Sequence, residues 1–358
     1  MTPDRRITEL FGIELPIVQA PMAGAQGSEM AIAVSEAGGL GSLPCAMLSL
    51  DQARAEIGII RQRTAKPFNV NFFCHAPPAE NPAREAAWKQ RLGAHYAEFG
   101  IDPASIGKGP GRNPFDAATC AMIEELKPKV VSFHFGLPDA ALVRRVKAAG
   151  CVVIASATSA EEARWLGAHG CDAIIAQGYE AGGHRGHFLR DNLASQPGTL
   201  ALVPQVVDAV KLPVIAAGGI ADARGVVAAM ALGAAAVQIG TAYLLSPEAK
   251  ISAMHRQALL QTADDRTALT NVFTGRPARG IVNRAIAEIG PLATEAPEFP
   301  GAAAGMAPLR AKAEAAGSGE FSPLWSGQGA RLATPMPAGE FTRHVMAQAE
   351  ALRRSLSR

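Results

Sequence analysis

The chain is predicted to fold as a (β/α)8 TIM barrel with a rim insertion and an added helical region. Three observations predict this. Short apolar runs alternate eight times with Ala-rich segments of helical spacing along 358 residues. Hydrophobic residues make up 48% of the chain and aromatic ones only 5%, so the core is built from Ala, Val, Ile and Leu, as in buried parallel strands. Glycine-rich turns follow the later runs, at the end of the strands where a barrel keeps its chemistry.

The apolar runs read as strands at 17–22, 39–43, Phe68–Phe73, 130–135, 151–157, 173–178, 213–219 and 236–242. Helical spacing falls at Ser28–Glu36, Leu50–Arg63, 139–148, 159–168, 202–210 and 222–232. Ser49, Ser159 and Asp222 stand where an N-cap belongs. Strand followed by helix, repeated, implies right-handed crossovers and closure. An open doubly wound sheet is the alternative. It usually brings Gly-x-Gly-x-x-Gly after its first strand, and Ala23-Gly-Ala-Gln-Gly27 fails that spacing.

Residues 1–74 and 120–246 are assigned to the barrel. Residues 75–119 are too long for a crossover and read as the rim insertion, with a helical piece at 82–99 and a Gly/Pro loop at 107–114. Residues 247–317 read as a helical lid over the site. Residues 318–358 carry Leu324-Trp-Ser-Gly-Gln-Gly-Ala330, expected to return to the barrel, and a final helix near 340–354.

A net charge of +2 gives no reason to expect nucleic acid or a membrane surface as partner. No apolar run reaches the roughly 18 residues of a membrane helix, and Met1-Thr-Pro-Asp-Arg-Arg6 leads into no signal segment. The five cysteines, Cys45, Cys74, Cys120, Cys151 and Cys171, are odd in number and form no C-x-x-C pair. Neither a disulfide framework nor a metal site is expected, and the cytoplasm is the expected compartment.

The stretch Ala176-Gln-Gly-Tyr-Glu-Ala-Gly-Gly-His-Arg-Gly-His187 follows a buried strand. It sets His184 on a glycine loop at the barrel mouth. An imidazole with an ordinary pKa near ~6.5 can serve there as a base toward a carbon acid or hold an anion. Glu180 lies close by but reads as a loop cap, with no catalytic role. Ala216-Ala-Gly-Gly-Ile220 and Val237-Gln-Ile-Gly-Thr241 end the last two strands. In phosphate-binding barrels a dianion sits between those loops, held by backbone N–H groups. The plain alternative is that these glycines only make tight turns; the matching pair of loops favours phosphate.

Gln19-Ala-Pro-Met22 ends the first strand and puts Met22 where it can lie against a flat ring. Asn69 and Asn71 share one face of their strand, so one or both meet a polar ligand. Gln177 and Gln238 end two further strands in the same way. His134 in Ser132-Phe-His-Phe135 is either a satisfied core residue or part of the mouth. His75, His95 and His169 read as surface or loop residues, and His187 has no argument of its own.

These motifs resemble those of the nitronate monooxygenases, formerly 2-nitropropane dioxygenases. The likeness rests on Gln19-Ala-Pro-Met22, Asn71, Gln177-Gly-Tyr-Glu-Ala-Gly-Gly-His184, Ala216-Ala-Gly-Gly-Ile220 and Gln238-Ile-Gly-Thr241, and spans Leu15 to about Ala330. Glu180-Ala-Gly-Gly-His184 is shared with flavin-dependent enoyl-ACP reductases. Phe72-Phe-Cys-His75 and Ser132-Phe-His-Phe135 look more like class I of the monooxygenases. The resemblance implies FMN, bound without a covalent link, with its phosphate at Gly218, Gly219 and Gln238-Ile239-Gly240-Thr241. It implies that Ala20, Pro21, Met22, Asn71, Gln177 and Gly182 meet the flavin, and that Ser326 and Gln328 return to it. It implies His184 as catalytic base, and His134 and His184 as substrate-binding. The implied substrates are an alkyl nitronate, or a nitroalkane, and O2. An NAD(P)H-dependent flavin reductase of quinones or enoyl thioesters, and a barrel that only senses a phosphorylated metabolite, are the competing readings. Oligomeric state stays open.

Overall fold

The computed structural model describes residues 4–107, 109, 111–263 and 265–356. Met1-Thr-Pro3 of the N-terminal stretch, and Lys108 and Pro110 of the 107–114 loop, lie outside the described residues. In chain order the strands are β1 (Ile17–Gln19), β2 (Gly41–Pro44), β3 (Phe68–Phe73), β4 (Val130–His134), β5 (Val152–Ala157), β6 (Ala173–Gln177), β7 (Gly183–His184), β8 (Val214–Ala217), β9 (Ala236–Ile239), β10 (Thr267–Thr270) and β11 (Ala278–Ile281).

Eight of these form one parallel sheet in the order β1-β9-β8-β6-β5-β4-β3-β2. A parallel bridge between Val18 and Leu40, with the Gln19 N–H on the Leu40 carbonyl at 2.9 Å, closes β2 onto β1. The result is the (β/α)8 barrel.

Side chains alternate across each strand. Val152 and Ile154 of β5, and Ala173 and Ile175 of β6, fill the interior with Val18, Leu40 and Val130. Ile7 and Phe11 of the helix Arg6–Phe11 join that layer. The residues between, such as Val153, Ala155, Ile174 and Ala176, pack outward against the helices. The same period carries Asn71, Ser132, His134, Ser156, Gln177 and Gln238 to the inward face toward the C-terminal ends of their strands.

The helices Ser28–Glu36 and Leu50–Arg63 span the predicted residues. Ser49 forms a capping box with Gln52, and Ser159 and Asp222 cap their helices as expected. β3 and β5 end where their apolar runs end, whereas β6, β8 and β9 stop short of theirs, each directly before a glycine. β8 ends at Ala217 because Gly218 and Gly219 turn to φ +114° and +71°. The run at 236–242 divides: β9 ends at Ile239 and Thr241–Leu245 winds into a 3-10 turn. The piece at 82–99 is two helices, Pro82–Arg91 and Gly93–Glu98.

Residues 247–317 hold strands as well as helices. β10, β11 and β7 form a second, antiparallel sheet. Gly280 of β11 bridges Trp325, which ties the tail to this sheet. The rim helices and the helix Ala302–Ala315 share a separate core of Trp88, Leu92, Tyr96, Met306 and Leu309. Trp88 Nε1–H donates to the Ala302 carbonyl at 3.2 Å, and the Tyr96 hydroxyl to that of Gly305 at 2.8 Å. The helix Ala338–Leu356 lays Phe341 and Val345 on the outer barrel layer. Among the described residues no helix is long and apolar enough to cross a membrane.

Candidate active site

A cavity of about 820 Å3 opens at the C-terminal ends of the barrel strands, the size of a pocket for a cofactor and a small substrate. Ala20, Pro21 and Met22 line it after β1, Asn71 and Phe73 on β3, and His134, Ser156 and Gln177 on the next three strands. The turns at Gly182, Gly218, Gly219 and Gly240 and the side of Thr241 complete the wall.

His184 stands on β7, opposite Ala278 of β11. Its Nε2 lies 2.9 Å from the Thr274 hydroxyl oxygen. Around the ring stand Phe299 at 5.4 Å, Trp325 at 5.6 Å, Phe135 at 5.9 Å and Phe73 at 6.2 Å. Burial in this setting first, then the nearness of His134 and the charges of Arg112 and Arg276, pushes the imidazole well below its ordinary value. It is neutral at physiological pH.

His134 has a different part. Its Nε2 faces the His184 carbonyl at 3.2 Å and its Nδ1 the Ser156 hydroxyl at 3.0 Å. A carbonyl only accepts, so Nε2 carries the proton and Nδ1 accepts from Ser156. Burial, aided by Arg276, pushes this group down to about 3. Gln177 donates from Nε2 to the same carbonyl at 3.0 Å and accepts the Gly186 N–H at Oε1, 2.7 Å away. His134 and Gln177 therefore hold the loop that presents His184. Both His134 nitrogens are taken up by the protein, although the residue lines the cavity.

Across the mouth, no hydrogen bond among the described residues engages the N–H groups of Gly218, Gly219, Gly240 or Thr241. A Cβ on Gly218 would stand 2.9 Å from Thr199 Oγ1 and 3.1 Å from the Ala181 nitrogen. The Glu180 carboxylate accepts the Thr199 N–H at 2.7 Å and caps the helix Thr199–Ala209. Behind this loop two buried guanidinium groups face Tyr179. Arg185 donates to the Gly178 and Gln177 carbonyls and Arg279 to that of Tyr179. Burial lowers Arg185 to about 10, so it stays charged. Positive charge thus lies behind a cradle that has no lysine of its own.

The remaining predicted residues divide. Asn71 faces the cavity, with Nδ2 on the Ser132 hydroxyl at 3.0 Å. Asn69 is sunk below it, between the hydroxyls of Ser42 and Ser132. The Ile239 side chain turns outward to the helix-facing core, as its strand period demands, and its carbonyl accepts the Ala20 N–H. Trp325, Gly327 and Gly329 line the cavity, whereas Ser326 and Gln328 beside them do not. The Ser326 hydroxyl stays buried on the Gly327 carbonyl, and Gln328 is exposed with its N–H on the Glu180 carbonyl. Gly182 sits so near the tail that a Cβ would stand 2.5 Å from the Gly327 nitrogen.

His75 and His95 are buried, against the surface or loop reading, because aromatic rings cover them. His169 is exposed and stacks on Trp165. Thr274, Ser156 and Arg112 escaped sequence reasoning. Ser156 had a usable signal, since it shares the inward face of β5 with Ile154.

A family model described as Nitronate monooxygenase matches residues 4–348. A nitronate monooxygenase of Pseudomonas aeruginosa is 44% identical over 343 residues, 95% of this chain and 98% of its own. A solved structure of nitroalkane oxidase from Streptomyces ansochromogenes superposes with a TM-score of 0.89 at 39% identity, covering 98% of this chain and 99% of that one. The structure of FabK from Thermotoga maritima gives 0.74 at 30% identity, covering 98% of each chain.

Proposed function

The chain belongs to the nitronate monooxygenase family, and on that premise we propose that it oxidises alkyl nitronates with O2 at an FMN in the barrel mouth, releasing a carbonyl compound and nitrite. The observation that carries this is the neutral imidazole of His184, set in an aromatic wall beside a glycine cradle. The cytoplasm is its compartment and detoxification of a nitro compound its use. Residues 1–74 and 120–246 serve as the cofactor-binding barrel, and 75–119, 247–317 and 318–358 enclose it.

The residues present fit FMN. Gln238 Oε1 is buried without a partner on the inward face of β9. The N–H groups of Gly218, Gly219, Gly240 and Thr241 stand unengaged where a phosphate dianion would take them. When bound, FMN supplies the one-electron chemistry that links the nitronate to O2. Met22 gives a soft apolar surface for a ring, and Asn71, Gln177 and Gly182 its polar surroundings. Phe73 and Trp325 line the cavity and exclude water around the alkyl group, with Phe135 and Phe299 packed behind Phe73.

His184 keeps Nδ1 for the substrate, since Nε2 is held by Thr274. The Thr274 hydroxyl also lies 3.3 Å from the Arg276 carbonyl. It can give its proton to either acceptor and so serves either His184 tautomer. With Nδ1–H, the imidazole donates to a nitronate oxygen. With a lone pair on Nδ1, it takes the α-proton of a neutral nitroalkane. Thr274→Val removes this hydroxyl at nearly constant volume. It is expected to lower kcat/KM for nitronate by about tenfold with flavin retained, as for one lost hydrogen bond; Thr274→Ser should recover most of it. Unchanged kinetics in the valine variant would remove Thr274 from the account.

The reading itself is tested by mixing flavin-loaded protein with NADH or NADPH without air. Slow or absent bleaching is expected. Bleaching faster than nitronate turnover would move the chain to the flavin reductases.

A further inference from the structure

Beyond helping to lower the His184 pKa, two groups at the mouth have no part in the chemistry above: the guanidinium of Arg112 and the imidazole of His75. Arg112 lies on the 107–114 loop and lines the same cavity as Phe73, Thr274 and His184. Among the described residues its guanidinium makes no hydrogen bond and no ion pair. Two other cations line that cavity and both have a carboxylate. Arg310 donates to Glu314 at 2.7 Å, and Lys250 stands 3.9 Å from Glu56. Arg112 alone of the three is uncompensated. A guanidinium stays charged in proteins and is costly to desolvate without an anion.

Its backbone is fixed. His75 Nε2 faces the Arg112 carbonyl at 3.1 Å, so the ring donates its proton there. The ring packs edge-on against Phe299 at 4.8 Å and Phe135 at 6.3 Å, two of the aromatics that surround His184. Burial first, then the charges of Arg276 and Arg112, keep His75 below its usual value and neutral. The other end of the insertion is tied by the Phe115 N–H on the Phe73 carbonyl at 2.8 Å. An unpaired cation is thus held against an apolar, aromatic cage whose two imidazoles are neutral.

Building on the nitronate reading, we propose that Arg112, positioned by His75, is the anion anchor of this site, and that it selects the nitronate anion over the neutral nitroalkane. In a partly dry cavity a full charge discriminates strongly between an anion and a neutral molecule of the same shape. The aromatic wall recognises the alkyl part of both and cannot tell them apart.

Nitrate is the probe: a planar oxyanion of the same charge that is not a substrate. Its affinity for the flavin-loaded protein is measured by calorimetry, beside the nitronate KM and kcat, in wild type, Arg112→Gln, Arg112→Lys and His75→Phe. Arg112→Gln is expected to weaken nitrate binding and raise KM by about tenfold or more, with kcat changed less than about threefold, as when one partner of a charge pair is lost. Arg112→Lys recovers part of the loss. His75→Phe keeps the ring packing and moves KM the same way by less. Wild-type nitrate affinity and KM in Arg112→Gln, or no nitrate binding by the wild type, would overturn the proposal. Nitrate binding that depends on Arg112 in a protein inert to nitronate would uphold the anchor and refute the oxidation instead.

Discussion

His184→Asn is expected to lower kcat/KM for an alkyl nitronate by about 10²–10⁴-fold while the protein stays yellow, the range for loss of a positioned acid–base group. Asparagine keeps a polar head near Nδ1 but cannot exchange a proton as imidazole does. Flavin is retained because the cradle at Gly218, Gly219, Gly240 and Thr241 lies on other loops. The same residue fixes the pH dependence. Burial lowers the His184 pKa, so protonation is disfavoured and the neutral form persists as pH falls through the ordinary imidazole value. The rate with preformed nitronate is therefore expected to be level from about pH 6 to about pH 8, with no step near ~6.5. A variant with full turnover, or a wild-type step near that value, would falsify the assignment.

Gly218→Ala is expected to yield protein with little or no flavin. At φ +114° an alanine is strained by roughly 1–3 kcal/mol, and its Cβ would press on Thr199 Oγ1 at 2.9 Å and the Ala181 nitrogen at 3.1 Å. The Gly218 carbonyl lies 2.9 Å from the Thr199 hydroxyl, so the strain moves the N-terminus of the helix Thr199–Ala209. Since about 1.4 kcal/mol is tenfold in affinity, FMN binding should weaken by about 10- to 100-fold. Reconstitution with added FMN, followed by fluorescence quenching, reads the dissociation constant directly. Wild-type affinity in this variant would place the phosphate elsewhere.

The barrel was legible because period and punctuation agreed. Each apolar run was bounded by turn residues, and the caps at Ser49, Ser159 and Asp222 lay where the helices begin. The antiparallel sheet over the mouth was not legible. β7 has two residues, too few to show a period, and its partner β11 lies about a hundred residues on and includes Arg279 and Gly280. Inward-facing Asn71, Gln177 and Gln238 could be read from strand parity alone. The groups that tune His184 could not. Thr274 and Arg112 come from separate excursions and meet only after folding, and Phe72-Phe-Cys-His75 gave no sign that His75 would bind the Arg112 carbonyl. The sequence left His134 open between a satisfied core residue and the mouth; it lines the cavity with both nitrogens engaged, and its proton bookkeeping, Nε2–H to the His184 carbonyl and Nδ1 from Ser156, needs coordinates.

Nitronate oxidation is measured by mixing flavin-loaded protein with preformed alkyl nitronate under air, following oxygen uptake and nitrite release together, with an NADH-only reaction run beside it. Oxygen consumption with nitrite release, and no comparable oxidation of NADH, is expected. Inertness toward nitronate with prompt NADH oxidation would contradict it.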